Sequence, residues 1–211
     1  MYSRKLQVKQ NIFEKSRGNS SYGFLIKEIT DSTFIENTFS ENTLAIMLNA
    51  SNRNTFRRNT FLQNGWSAEI FTNSYDNLFT ENNFIANNFD VATNSSRSTT
   101  IFTGNYWDHY RGYDFNYDKT GDTSYKPVGI FSFWVARFPE LAILLNSPVV
   151  SFLESAERFF PVLTPESLED PKPRMNKLQI DFIHADRVIQ QFKKLQKVAY
   201  ERYKLATNRS S

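Results

Sequence analysis

No cysteine occurs among the 211 residues, which excludes disulfides, zinc–thiolate sites and cysteine nucleophiles. Long apolar runs are missing as well. Without a stretch of about 18 apolar residues, no transmembrane helix is expected. The opening Met1-Tyr2-Ser3-Arg4-Lys5-Leu6-Gln7-Val8-Lys9 lacks the apolar centre of a signal peptide and reads as a strand already under way. The chain is therefore expected to begin inside a repeat, as a fragment or with a truncated N-terminus. Net charge is close to balance at +3, but its distribution is uneven. Residues 1–171 hold 15 Lys+Arg against 19 Asp+Glu, whereas residues 172–211 hold 10 against 3. A basic tail of this kind suits an anionic membrane surface, an acidic partner or nucleic acid, or forms the solvated face of a helix.

What the sequence does contain is repetition. Asn-x-Phe stands at Asn37-Thr38-Phe39, Asn59-Thr60-Phe61 and Asn82-Asn83-Phe84, with a closing variant at Asn105-Tyr106-Trp107. The asparagines are 22, 23 and 23 residues apart, and a weaker copy at Asn11-Ile12-Phe13 lies 26 residues upstream. Phe34, Phe56, Phe79 and Phe102 each stand five residues before the closing aromatic of their turn. Short alternating strands lie between, such as Leu44-Ala45-Ile46-Met47-Leu48 and Trp66-Ser67-Ala68-Glu69-Ile70-Phe71. A fixed period of this size marks a solenoid, whose turns cannot bury their apolar faces singly. It is too short for propeller blades of ~40 residues. Phe, Ile, Asn, Ser and Thr dominate, so the expected fold is an all-β solenoid, a parallel β-helix of 22–23-residue turns. Stacked at about 4.8 Å, its turns would align Phe and Ile in columns inside, with asparagines bonding their counterparts at the bends and tolerating left-handed angles there.

After Thr103 the texture changes to Gly104-Asn105-Tyr106-Trp107-Asp108-His109-Tyr110-Arg111-Gly112-Tyr113-Asp114, followed by alternating acidic residues, Gly121-Asp122-Thr123 and Tyr125-Lys126-Pro127. Further on come Ser147-Pro148-Val149-Val150, Phe160-Pro161-Val162-Leu163-Thr164-Pro165-Glu166 and Asp170-Pro171-Lys172-Pro173-Arg174-Met175. Together these residues, over about 20–176, resemble the NosD family of periplasmic maturation proteins for nitrous-oxide reductase, and in particular its C-terminal part. The resemblance implies a right-handed parallel β-helix, no catalysis, a periplasmic location, and an accessory role docked on an ABC transporter with assistance to copper delivery. Nitrous-oxide reductase and a copper chaperone are the further partners it implies; nucleic acid is not among them.

The residues themselves suggest where such functions would sit. Trp107, Tyr110 and Tyr113 read as amphipathic caps over the open end of the bore. Asp114, Asn116, Asp118 and Asp122 place oxygen donors at alternate positions, as a calcium-like loop would, or as an Asx-rich turn. Lys119 and Tyr125 spoil the EF-hand pattern, and the family usually has glycine at the positions of Tyr117 and Lys119. Copper(I) prefers thioether, thiolate and imidazole. His109, in the aromatic block, and Met175, in the proline-rich tail, are the copper contacts to consider, with Met47 reading as core.

Four segments are expected: turns over 1–103, an aromatic and acidic cap over 104–127, amphipathic helices and a proline-rich linker over 128–174, and a long basic amphipathic helix over 175–211. The α-helical C-terminal extension carries Phe131, Phe133, Trp134, Phe138, Phe182, Ile189 and Phe192. These side chains would pack on the rod, meet a membrane surface or bind another protein. The resemblance assigns residues 127–211 to the transporter permease. The competing reading is a carbohydrate-binding or carbohydrate-cleaving β-helix, whose acidic residues would come from Glu36, Glu41, Glu69 and Glu81.

Overall fold

The computed structural model describes residues 2–18, 20–95, 98–144, 147, 148, 152 and 168–180. For Ile130, Phe133, Ala136, Arg137, Pro139 and Ala142 the description is of the backbone alone. The chain divides into two compact units, Met1–Leu178 and Gln179–Ser211. The expected long helix from 175 to 211 falls almost wholly outside the described residues; Met175–Ile180, its first six positions, are not helical.

The first unit is a parallel β-solenoid of about four turns. Among the described residues three larger sheets wrap it, with a fourth, two-stranded sheet of Ser3–Arg4 and Ile29–Thr30. One contains Gln7–Lys9, Thr33–Ile35, Thr55–Arg57, Leu78–Thr80 and Ile101–Thr103. The second contains Ile12–Glu14, Thr38–Ser40, Thr60–Leu62, Asn83–Ile85 and Tyr106–Trp107. The third contains the longer strands Tyr22–Lys27, Leu44–Asn49, Trp66–Ile70 and Phe89–Thr93. All pairings within these sheets are parallel and in repeat register, so Phe34, Phe56, Phe79 and Phe102 stand directly above one another. Their rings stack at centroid distances of 4.6, 4.4 and 4.7 Å. A second column runs Phe13, Phe39, Phe61, Phe84 and Trp107 at 5.0, 5.1, 4.8 and 4.0 Å. Ile26, Ile46, Leu48, Ala68, Ile70 and Val91 fill the bore from the third sheet, all fully buried.

Polar ladders run beside these columns. The Asn37 carboxamide donates to Asn59 Oδ1 (3.0 Å), Asn59 to Asn82 (3.1 Å) and Asn82 to Asn105 (2.9 Å). Each Oδ1 also accepts the backbone N–H of the asparagine one turn earlier, so buried donors and acceptors are satisfied together. A second ladder links Asn42, Asn64 and Asn87, and a third links Ser32, Asn54 and Asn77. None of these asparagines is left-handed. That conformation falls on the residue before each, Glu36, Arg58, Glu81 and Gly104, all at positive φ. The division of labour has a physical reason. The asparagine must aim its carboxamide inward along the stack, while the corner residue sends its side chain to solvent. There the corners pair across turns, as Arg53 with Asp31 (2.7 Å) and Arg58 with Glu36 (3.6 Å).

Met47, read from sequence as core, alternates with Ile46 and Leu48 and so lies on the opposite, outer face of its strand, half-buried. Beyond the solenoid, α1 (Ile130–Arg137) and a 3₁₀ turn (Pro139–Leu144) follow. Phe131 and Val135, one helical turn apart, pack with Trp66, Phe89 and Leu141.

Candidate functional site

The end of the solenoid after Trp107 is where polar chemistry accumulates. In the Asn37–Asn105 ladder each backbone N–H and one carboxamide N–H point toward this end, while the other carboxamide N–H bonds back to the preceding turn. The last turn therefore presents a set of N–H groups here. One carboxylate answers them. Asp170, fully buried, accepts from the N–H of Gly104 (3.1 Å), Asn105 (3.0 Å) and Lys172 (3.0 Å), the Asn105 carboxamide (2.9 Å) and the Trp107 indole (3.1 Å). An anion complements the N–H end of an aligned dipole array, as it does at a helix N-terminus. Asp170 and its neighbours are held in place by exchange of both backbone bonds between Tyr125 and Asp170 (2.9 and 2.8 Å), and by the Arg174 N–H on Asn105 O (2.8 Å). The part of the expected linker from Leu168 to Arg174 is thus docked on the last turn.

Trp107 closes the bore, stacked on Phe84, and Tyr125 covers it at 5.1 Å. Tyr110 meets Tyr125 edge-on and donates to Thr123 O (2.7 Å). Gly112 and Gly121 flank its hydroxyl so closely that a Cβ at either would meet it at 1.9 or 2.0 Å. Tyr113, by contrast, is 66% exposed and stacks on Phe115 instead of on the bore. Sequence reasoning missed Tyr125 and Asp170 as cap residues, because the last-turn groups they meet are distant in sequence: Trp107 is 18 positions from Tyr125, and Gly104, Asn105 and Trp107 are 63 to 66 from Asp170.

The acidic loop turns its oxygens inward on its own backbone. Asp114 accepts from the N–H of Asp118 (3.1 Å) and Lys119 (2.9 Å), Asn116 from that of Asp118 (3.1 Å), Asp118 from that of Thr120 (2.7 Å) and Asp122 from that of Phe115 (2.6 Å). The Thr120 N–H holds the Asp118 carboxyl below its ordinary range. The Asn116 and Asp118 bonds, each to the residue two positions on, are Asx turns, and the longer Asp114 and Asp122 bonds close the loop around them.

A different group brings metal-type ligands together. Asp90, Asp108 and His109 offer donor atoms all within 4.8 Å of one another. The His109 Nδ1 lies 3.3 Å from Asp90 Oδ2 and 3.8 Å from Asp108 Oδ1. Asp90 Oδ2 also accepts the Tyr125 hydroxyl (2.7 Å), and Asp108 Oδ2 accepts the Ala86 N–H. The Asp90 side chain is only 2% exposed. The other oxygen of each carboxylate, Oδ1, is buried without a hydrogen-bond partner among the described residues. Of this trio the sequence reading held only His109. Asp90 lies on Phe89–Thr93 of the third sheet and Asp108 just after Tyr106–Trp107 of the second, so the fold brings them together from two different sheets. Met175, the second residue considered for copper, is held elsewhere, its N–H on Lys119 O (3.0 Å).

The family model described as "Periplasmic copper-binding protein (NosD)" matches residues 1–112, more than half of the chain. The chain belongs to the NosD family. Two curated relatives, each named "Probable ABC transporter binding protein NosD", come from Stutzerimonas stutzeri and Pseudomonas aeruginosa. Each is 33% identical over 85 residues, 40% of this chain and 20% of the relative. The chain therefore spans about a fifth of the length of the curated NosD proteins it matches. The NosD match covers the turns and the start of the cap, including His109, Asp90 and Asp108.

The side chains expected to dock a partner are distributed unevenly in this NosD chain. Phe131 is 7% exposed and consumed by its own packing, whereas Trp134 and Phe138 stack on each other half-exposed. The Phe133 side chain, Phe182, Ile189 and Phe192 lie outside the described residues.

Proposed function

We propose that this chain is a non-catalytic periplasmic accessory protein in nitrous-oxide reductase maturation, a scaffold that docks on an ABC transporter and assists copper delivery. The observation that carries this reading is the conjunction of a NosD solenoid with a built, capped end, while relatives sharing the turns are named as transporter-binding proteins. The docking surface is residues 127–211: the half-exposed pair Trp134 and Phe138, with the basic amphipathic segment beyond Leu178 as a helical extension. The turns coil right-handed, the usual hand of parallel β crossovers. Calcium is not required for the cap, whose acidic oxygens already have backbone donors.

The carbohydrate reading loses ground at its own residues. Glu36 and Glu41 bond Gln10 and Arg17 across turns, and Glu81 pairs with Arg57 at 3.1 Å. Glu69, the fourth, has Met47 and Ala92 as its register neighbours, so no second carboxylate stands beside it in the sheet.

Co-purification with the candidate ABC permease tests the proposal. The chain, exported by an added signal peptide, is expected to be retained. Chains ending at Leu178, or carrying Trp134→Glu with Phe138→Glu, are expected to be lost. Ending at Leu178 keeps the Asp170 cap, so loss would report docking and not unfolding. Equal retention of all three would remove the proposed surface.

A further inference from the structure

We infer that Asp90, Asp108 and His109 form a site for a divalent, borderline metal ion, Cu²⁺ in preference to Zn²⁺, and that Tyr125 orients it. The inference goes beyond the accessory role and does not depend on transporter docking. It starts from an electrostatic imbalance. Two carboxylates approach one imidazole within 4.8 Å, and one of them is almost fully removed from water. Burying a carboxylate oxygen without a donor is costly, and such orphans call for a cation or a bound water. Both orphan oxygens here are the Oδ1 atoms, each geminal to an Oδ2 already fixed by a donor, the Tyr125 hydroxyl or the Ala86 N–H. Each carboxylate is thus pinned in orientation with one oxygen left over.

Pinning of this kind is what outer-shell partners do for metal ligands. Tyr125 is itself fixed by its backbone exchange with Asp170 and its contact with Trp107. The site is therefore tied to the cap: three segments, the strand Phe89–Thr93, the residues just after Trp107 and the strand pairing at Tyr125, must be in place before the donors meet. Arg111, the nearest basic residue in sequence, bonds the carbonyls of Asp108 and Tyr110.

The donor set decides the ion. One imidazole nitrogen and two carboxylate oxygens suit Cu²⁺ and Zn²⁺, with Cu²⁺ the tighter on the Irving–Williams order. Cu⁺ prefers thioether and thiolate and finds neither in this trio. The residues fit copper in its divalent state, and remaining ligand positions are open to water or to a donor from another protein. Such a three-residue site suits a metal that passes on more than one held permanently.

The test uses the full chain, freed of metal, titrated calorimetrically with Cu²⁺, Zn²⁺ and, under reducing conditions, Cu⁺. Paramagnetic resonance of the Cu²⁺ form reads the coordinating nitrogen. The expected result is one Cu²⁺ per chain with nitrogen hyperfine coupling from a single imidazole, Zn²⁺ held more weakly and Cu⁺ not held by this trio. Asp90→Asn and His109→Gln should abolish stoichiometric binding. Tyr125→Phe should weaken it about tenfold, the effect of an outer-shell partner, and Met175→Leu should leave it unchanged. His109 is nearly half exposed, so His109→Gln is not expected to disturb folding, and circular dichroism of each variant checks this. Absence of stoichiometric Cu²⁺ binding, or binding indifferent to both Asp90→Asn and His109→Gln, would overturn the site. His109 would then be a simple counter-charge for the two aspartates.

Discussion

Tyr117 and Lys119 sit at φ 59° and 69°, in the left-handed region that costs a side-chain-bearing residue about 1 kcal/mol relative to glycine. Both are side-chain-bearing residues where the backbone favours glycine. Tyr117→Gly and Lys119→Gly are each expected to raise stability by about 1 kcal/mol, read as a higher urea midpoint with an unchanged slope. The opposite outcome is expected at Gly121. There a methyl group would collide with the Tyr110 hydroxyl, so Gly121→Ala should lower the midpoint. Glu69 provides the pH test. Burial on the outer face beside Met47 and Ala92 raises its pKa above the ordinary glutamate range. The unfolded chain then ionises first, so this residue takes stability away as pH rises from the unfolded value through the folded one. Glu69→Gln should match the parent near pH 4 and exceed it near pH 7. A variant equally destabilised at both would refute that burial. At this scale the sequence was legible for the phenylalanines, whose columns follow from period alone. It was less legible for Met47 and for the left-handed corners, because assigning a face or a φ requires knowing where the strand alternation begins in each turn.

Among elements, the asparagine ladder runs without a break into its carboxylate terminus, Asn82 bonding Asn105 and Asn105 bonding Asp170. The ladder was foreseeable from the 22- and 23-residue spacing, but its termination was not. Asp170 lies 65 residues beyond Asn105 in a proline-rich stretch whose composition reads as linker. No periodic signal marks such a residue; its role comes from the donor array it faces. Removing it leaves several buried N–H groups unpaired, so Asp170→Ala should cost about 3 kcal/mol or more. Asp170→Asn should recover only part, since its amide nitrogen would face donors. Amide exchange in the last turn should accelerate more than in the first if the cap acts locally. Uniform acceleration across all turns would instead mean that the solenoid opens as a whole. The acidic loop and the Asp90 cluster illustrate a similar asymmetry. Alternating Asp and Asn residues attract attention in sequence yet bond their own backbone, whereas Asp90 and Asp108 attract none and meet from two different sheets.

For the molecule as a whole, the solenoid gives a rigid, inter-bonded unit with its polar chemistry gathered at one end, and the segments that follow carry the exposed aromatics and the basic tail. Family membership rests on the turns, whereas the proposed docking is assigned to residues 127–211, which the family match does not reach. That separation makes the docking claim the one to measure. Hydrogen–deuterium exchange of the exported chain, alone and with the ABC permease in nanodiscs, reads it directly. The account predicts slowed exchange around Trp134 to Phe138 and across residues 179–211, with the turns from Tyr22 to Thr93 unchanged. Protection confined to the faces of those turns, or none anywhere, would contradict it.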